Sequence, residues 1–199
     1  MRSRPRIGHV EKDSDRLLVE DLCEHSQKFR EVWDAATRDF GVINIMETTD
    51  RTHFDRGTIY LNHHSVSHDR KAEIAFEITN AYQYQRLHAL RLAFPASDRS
   101  ATDLATDIEL VEFEGTLLHS EMMREGIEAA HWPSSMDRFG NVADYAATHS
   151  RDAAFAQYLG SQRASGHFHR YVEQALHPSN VRITKVSGSL TDLVREDHF

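Results

Sequence analysis

The chain has 199 residues, 40% hydrophobic and 27% charged, with a net charge of −8 when its 14 histidines are neutral. That balance excludes a disordered tract, and the length suits one cored domain with at most a small appendage. The acidic charge argues against a broad nucleic-acid surface, and no window reaches the roughly 18 apolar residues of a membrane-spanning helix.

Met1–Arg6 is basic, but no apolar run follows it. The sequence therefore predicts no secretory signal peptide and a cytoplasmic location in the producing cell, with export by a specialised secretion machine left open. Met1–Asp13 reads as a flexible N-terminal arm, and residues 14–199 read as a single domain. Ser14–Arg38 predicts one helix: Leu18, Leu22, Phe29, Val32, Trp33 and Ala36 recur at helical spacing, and Gly41 stops it. Within it lies Cys23, the sole cysteine. It cannot close an intramolecular disulfide, it excludes a zinc site built on several thiolates, and it reads as an inert, semi-buried thiol.

Val42–Met46 and Gly57–Leu61 predict two short strands, parted by a polar stretch, Glu47–Arg56, too long for a tight hairpin. Ser67 is a candidate N-cap for a helix over His68–Leu92. On that helix Ile74, Ala75, Ile78, Ala81, Tyr82 and Ala89 share one face. The other carries Glu73, Phe76, Glu77, Asn80, Tyr84 and Leu87. A solvent-facing side rarely combines Phe, Tyr and Leu, so the helix is expected to be covered on both sides or to line a cleft.

After a loop at Pro95 and Ser97–Ser100, Thr102–Ile127 predicts a second long helix. Leu104, Ile108, Val111, Gly115, Leu118 and Met122 form its core stripe, Asp107, Glu114, Glu121 and Glu125 its acidic outer stripe, and Glu112 and His119 its margin. Trp132-Pro133 breaks the pattern. Ala143–Ala147, Ser150–Leu159 and Phe168–Leu176 are expected as short helices, punctuated by Gly160 and Gly166 and stopped by Pro178. Val181–Val186 is a candidate strand. The fold class is thus α+β, a predominantly helical single domain packed on a small sheet.

The order of a Gly-Thr-Ile-Tyr-Leu strand, a central helix and a following helix with an inward carboxylate resembles the zincin-like metallopeptidase fold, in its small bacterial toxin or effector versions. The resemblance spans about Phe40–Arg124. In that family the central helix carries His-Glu-x-x-His-Ala-x-Gln, whereas this chain reads Phe76-Glu77-Ile78-Thr79-Asn80-Ala81-Tyr82-Gln83. Two histidines four apart would bind zinc while the glutamate activates its water. Phe76 cannot ligate a metal and Asn80 offers only a neutral amide, so both motif histidines are replaced. Glu77 alone keeps its motif identity and is the candidate catalytic residue. Glu112 stands where the resemblance implies a third ligand.

The expectation that follows is a catalytically degenerate, zinc-independent relative that binds a protein partner through a cleft of Phe76, Asn80, Tyr84, Glu112 and His119. No cofactor, nucleic acid or membrane is expected, and the oligomeric state stays open. The rival is a metal-dependent hydrolase or peptidase with a reorganised site, or a metal-binding protein. It would draw zinc or another divalent transition metal from His63, His64 and His68, with Glu77 or Glu112. His64 and His68 share a face only if residues 64–68 are helical. His167-x-His169 is a weaker candidate, because alternate residues diverge on a helix. Glu73/Glu77 or Glu112/Glu114 would be the carboxylate pair of a glycoside hydrolase.

Overall fold

The computed structural model of the chain describes residues 5–96, 98–176, 181–183 and 193–195. Strand β1 (Ile7–Val10) lies in the stretch expected to be a loose arm. Its Ile7 and Val10 pair in parallel with Ile43 and Ile45 of β2 (Ile43–Thr48), an apolar signal diluted by the charged residues around it. Between these strands the one helix expected over Ser14–Arg38 is two, α1 (Asp13–His25) and α2 (Gln27–Phe40). Ser26 makes the break. Its backbone is extended at φ −133°, and its hydroxyl caps α2 by accepting from Phe29 N at 2.8 Å. The apolar period runs on through the break because Val19, Leu22, Phe29, Val32, Trp33 and Ala36 all enter one core.

Strand β3 (His53–Asp55) occupies part of the stretch expected as loop and pairs antiparallel with β4 (Thr58–Asn62). Arg56 and Gly57 between them have φ of +41° and +82°, the two positive-φ positions of a two-residue hairpin turn. β4 also pairs in parallel with β2, setting Ile45 opposite Ile59, so the sheet runs β1-β2-β4-β3. Ile43, Ile45, Ile59 and Leu61 alternate inward and are fully buried.

Helix α3 (Ser67–Ala93) begins one residue earlier than the capping signal suggests, since Arg70 N already bonds Val66 O at 2.8 Å and Ser67 lies inside the first turn. Its first half is covered on both sides. Ala72, Ile74, Ala75, Ile78 and Ala81 are buried, and so are Glu77, Thr79 and Gln83. Tyr82, expected on the apolar face, is 48% exposed. Helix α4 (Ala101–Glu128) buries Leu104, Ile108, Val111 and Met122 as expected. It also buries Glu109, which no periodicity marks.

Two compact units are found within the stretch expected as one domain. Met1–Gln83 with Glu114–Tyr145 makes the first, and Tyr84–Phe113 with Ala146–Phe199 the second. The long helices α3 and α4 each give residues to both, which is why their apolar stripes read as continuous. The first unit holds the sheet and the larger core, into which Met122, Met123, Trp132 and Met136 also pack.

The chain continues through α5 (Gly140–Thr148) to α6 (Arg151–Ser165) and α7 (His167–Leu176). Ser150 caps α6 by accepting from Ala153 N at 3.2 Å. Gly160, expected to punctuate, lies exposed inside α6, where a glycine weakens a helix without ending it. Gly166 does end it, in the left-handed conformation at φ +82°, and α7 starts at the next residue. Leu104, Ala105, Ile108, Leu159, Phe168 and Tyr171 form the second unit's core. Val181–Ile183 (β5) pairs antiparallel with Leu193–Arg195 (β6), and residues 184–186 of the expected strand lie outside the described residues. The class is therefore the expected α+β, mostly helical with a small mixed sheet. Among the described residues, no helix is long and apolar enough to cross a membrane.

Candidate metal centre

The residues of the stretch Phe76–Gln83 that the sequence singled out are engaged with neighbouring side chains. Glu77 is 4% exposed, and Asn80 Nδ2 donates to its Oε2 at 2.8 Å, three residues on along the same helix face. Phe76 packs against Phe139, with centroids 5.4 Å apart, and edge-on to His119 at 6.0 Å. His119 is fully buried and donates from Nε2 to Ala72 O at 3.2 Å. A carbonyl can only accept, so the proton sits on Nε2. Nδ1 is left buried without a hydrogen-bond partner, and burial pushes the imidazole's pKa down to about 4. It is a neutral ring in an aromatic setting.

The remaining expected cleft residues, Tyr84 and Glu112, belong to the second unit, whereas Phe76, Glu77, Asn80 and His119 belong to the first. Tyr84 stacks on His88 at 5.9 Å. Glu73, the other half of one proposed carboxylate pair, accepts from Thr52 Oγ1 at 2.7 Å and Ser65 Oγ at 3.0 Å. It ties two loops to α3.

The histidine cluster divides as well. His63 and His64 lie exposed in a turn before α3, their rings 3.7 Å apart, and His63 Nδ1 donates to Thr48 O at 3.1 Å. His64 is outside the helix, so it cannot share a helical face with His68, whose side chain lies outside the described residues. Cys23 is 1% exposed and its thiol is pushed up to about 12 by burial, which keeps it protonated and inert.

Among the described residues, the convergence of ligand-type groups lies instead in the second unit. Glu109 and Glu112, three apart on α4, share a face. His167 and Tyr171, four apart on α7, share another. The left-handed turn at Gly166 places His167 in the first turn of α7. Its Nδ1 donates to Glu109 Oε1 at 2.9 Å, and Tyr171 donates its hydroxyl proton to Glu112 Oε1. Glu109, Glu112 and His167 each present a ligand atom within 4.8 Å of the others'. Glu109 is 0% exposed, and its Oε2 has no hydrogen-bond partner.

The electrostatics follow from this crowding. The bond to Glu109 raises the His167 pKa, outweighing the opposing effect of burial. Lost hydration raises the Glu112 carboxyl, against the lowering effects of the Tyr171 hydroxyl and the nearby His167. Tyr171 is pushed well above its ordinary value by burial and then by the Glu112 charge beside it. An unpaired oxygen on a fully buried carboxylate costs about 1–3 kcal/mol or more, since the group is charged.

Glu112 was the one member that the sequence singled out. His167 entered only as half of a weak pair, and its neighbour His169 is exposed and turned edge-on to Phe168. Glu109 and Tyr171 carried no signal except the spacings Glu109-x-x-Glu112 and His167-x-x-x-Tyr171 on helical segments. In comparisons with known proteins, no family model, no curated protein and no solved structure matches the chain.

Proposed function

We propose that the protein binds a metal ion through Glu109, Glu112 and His167 of its second unit. The observation that carries this reading is the Glu109 carboxylate, fully buried with one oxygen on His167 and the other unpartnered, at ligand distance from a second carboxylate. A divalent cation that displaces the proton between His167 and Glu109 would offset the charge of the two carboxylates and satisfy the orphaned oxygen. Two carboxylates and one imidazole suit manganese, iron or zinc, and the absence of thiolate ligands disfavours the softest ions. The ligands come from two helices of the same unit.

Equilibrium dialysis of the untagged full-length protein against each ion, followed by elemental analysis, tests this. One ion per chain is expected, with Glu109→Gln weakening binding by about 100-fold or more, beyond the roughly 10–100-fold of losing an outer partner. Stoichiometric binding that survives both Glu109→Gln and His167→Ala, or no binding at all, would sink the reading.

A further inference from the structure

Tyr171 is the fourth polar group at this centre, and its surroundings are unusual for a tyrosine whose hydroxyl merely completes a core. The ring is 3% exposed and belongs to the apolar core of the second unit, together with Leu104, Ile108, Leu159 and Phe168. Its oxygen reaches out of that core onto Glu112 Oε1, one of the three proposed ligand residues. It stands one helical turn from His167, with the two rings edge-to-face at 4.9 Å. The phenol oxygen therefore meets one of the two carboxylates that converge with the imidazole between α4 and α7.

Building on the metal-binding reading, we propose that Tyr171 is the fourth ligand, bound as a phenolate, and that the centre consequently prefers ferric iron. The chemistry is that of hard donors. Two carboxylates and a phenolate supply three anionic oxygens, to which a small trivalent cation bonds more strongly than a divalent one of similar size. The fourth donor, an imidazole, suits iron as well as zinc. On binding, the Tyr171 O–H bond breaks, its oxygen bonds the iron, and the proton leaves to water, with no change in oxidation state. Glu112, which now accepts that proton's hydrogen bond, turns the same oxygen to the metal. Ligand and partner exchange within a group already assembled, so no helix has to move far. The apolar core behind the ring fixes the direction of the phenol oxygen, the kind of support that metal ligands need.

The test uses the full-length chain stripped with chelator and then given ferric nitrilotriacetate. A visible phenolate-to-iron charge-transfer band is expected at one iron per chain, with phenolate ring modes enhanced in resonance Raman spectra of the unmutated protein. Tyr171→Phe removes one oxygen from a packed ring. It should abolish the band and weaken iron binding by about 100-fold or more, beyond the loss expected of an outer partner, while circular dichroism stays unchanged. Iron bound without the band, or a band that persists in Tyr171→Phe, overturns the tyrosine ligand and leaves metal binding standing. Manganese or zinc bound through Glu109 in preference to ferric iron overturns the ferric assignment alone. If no ion of any kind binds, both readings fall.

Discussion

Asp15 in the first unit and Glu109 in the second are both buried carboxylates, 1% and 0% exposed, but their partners differ in kind. Arg70 meets Asp15 as a fork, Nε to Oδ1 at 3.0 Å and Nη2 to Oδ2 at 2.6 Å, so both oxygens are served by a cation that keeps its proton at any physiological pH. Glu109 has a single bond, from an imidazole that can lose its proton, and an oxygen with no partner. A saturated fork closes a site and leaves it structural. A monodentate partner leaves capacity for something else, and that capacity lies in the second unit rather than on the first half of α3.

The strongest way to break the comparison is to remove the fork. Arg70→Met strands Asp15 as a buried, uncompensated charge and should lower stability by about 3–5 kcal/mol, read from urea denaturation. Metal binding by the second unit should be unaffected wherever the variant is folded. A loss under about 1 kcal/mol would mean that the fork is a replaceable surface-type pair and that the contrast with Glu109 is empty.

His119 gives the next largest effect and concerns pH. Unfolded, its imidazole titrates at the ordinary 6.5, and folded at about 4, because burial disfavours the charged form. Between those values the unfolded chain binds a proton that the folded chain does not, so stability rises with pH. Acidification from pH 6.5 to 4 should therefore cost about 3 kcal/mol from this group, and the contribution is fully present above pH 6.5. In His119→Phe the urea midpoint should depend less steeply on pH over that window. An unchanged slope would show that His119 becomes charged in the folded protein, which would reopen the first unit as a site.

How much of this was legible beforehand depended on whether a residue's neighbours were local. Ile74, Ile78 and Ala81 announced a buried helix because their period is set within the helix itself, and the paired strands around Ile45 and Ile59 showed as β-rich runs. Ser26 was legible only as a polar residue in a helical period, since its capping bond costs the pattern one residue. Ser26→Ala should cost about 1 kcal/mol for the lost cap, and it leaves Glu125 Oε2, which Ser26 Oγ meets at 2.8 Å, with the Lys28 N–H at 2.9 Å. Glu109 was illegible for a different reason. A glutamate on a helix reads as solvated, and its one hydrogen-bond partner is His167, 58 residues later in the chain, which follows the turn at Gly166. The peptidase-like stretch was legible as a pattern, but the pairing of Asn80 with Glu77 and of Phe76 with Phe139 could not be read from it.

The smallest expected effect sharpens the comparison most, because it separates a carboxylate kept for stability from one kept for a ligand. Without metal, Glu109→Gln removes a buried charge whose second oxygen had no partner, and it leaves His167 an amide oxygen to donate to. The histidine can then lose its proton, so neither partner is left as a buried, unpaired ion. The expected change in stability is within about 1 kcal/mol, in either direction. The equivalent change at the fork, Asp15→Asn, leaves the Arg70 guanidinium charged with only Glu47 at 3.3 Å and the Asn62 carbonyl on its far nitrogen, and should cost about 1–3 kcal/mol by the same measurement. Should Glu109→Gln prove as damaging as Asp15→Asn in metal-free protein, the Glu109–His167 pair is itself a structural bridge. The capacity attributed to the orphaned oxygen would then have to be sought in Glu112 and Tyr171 alone.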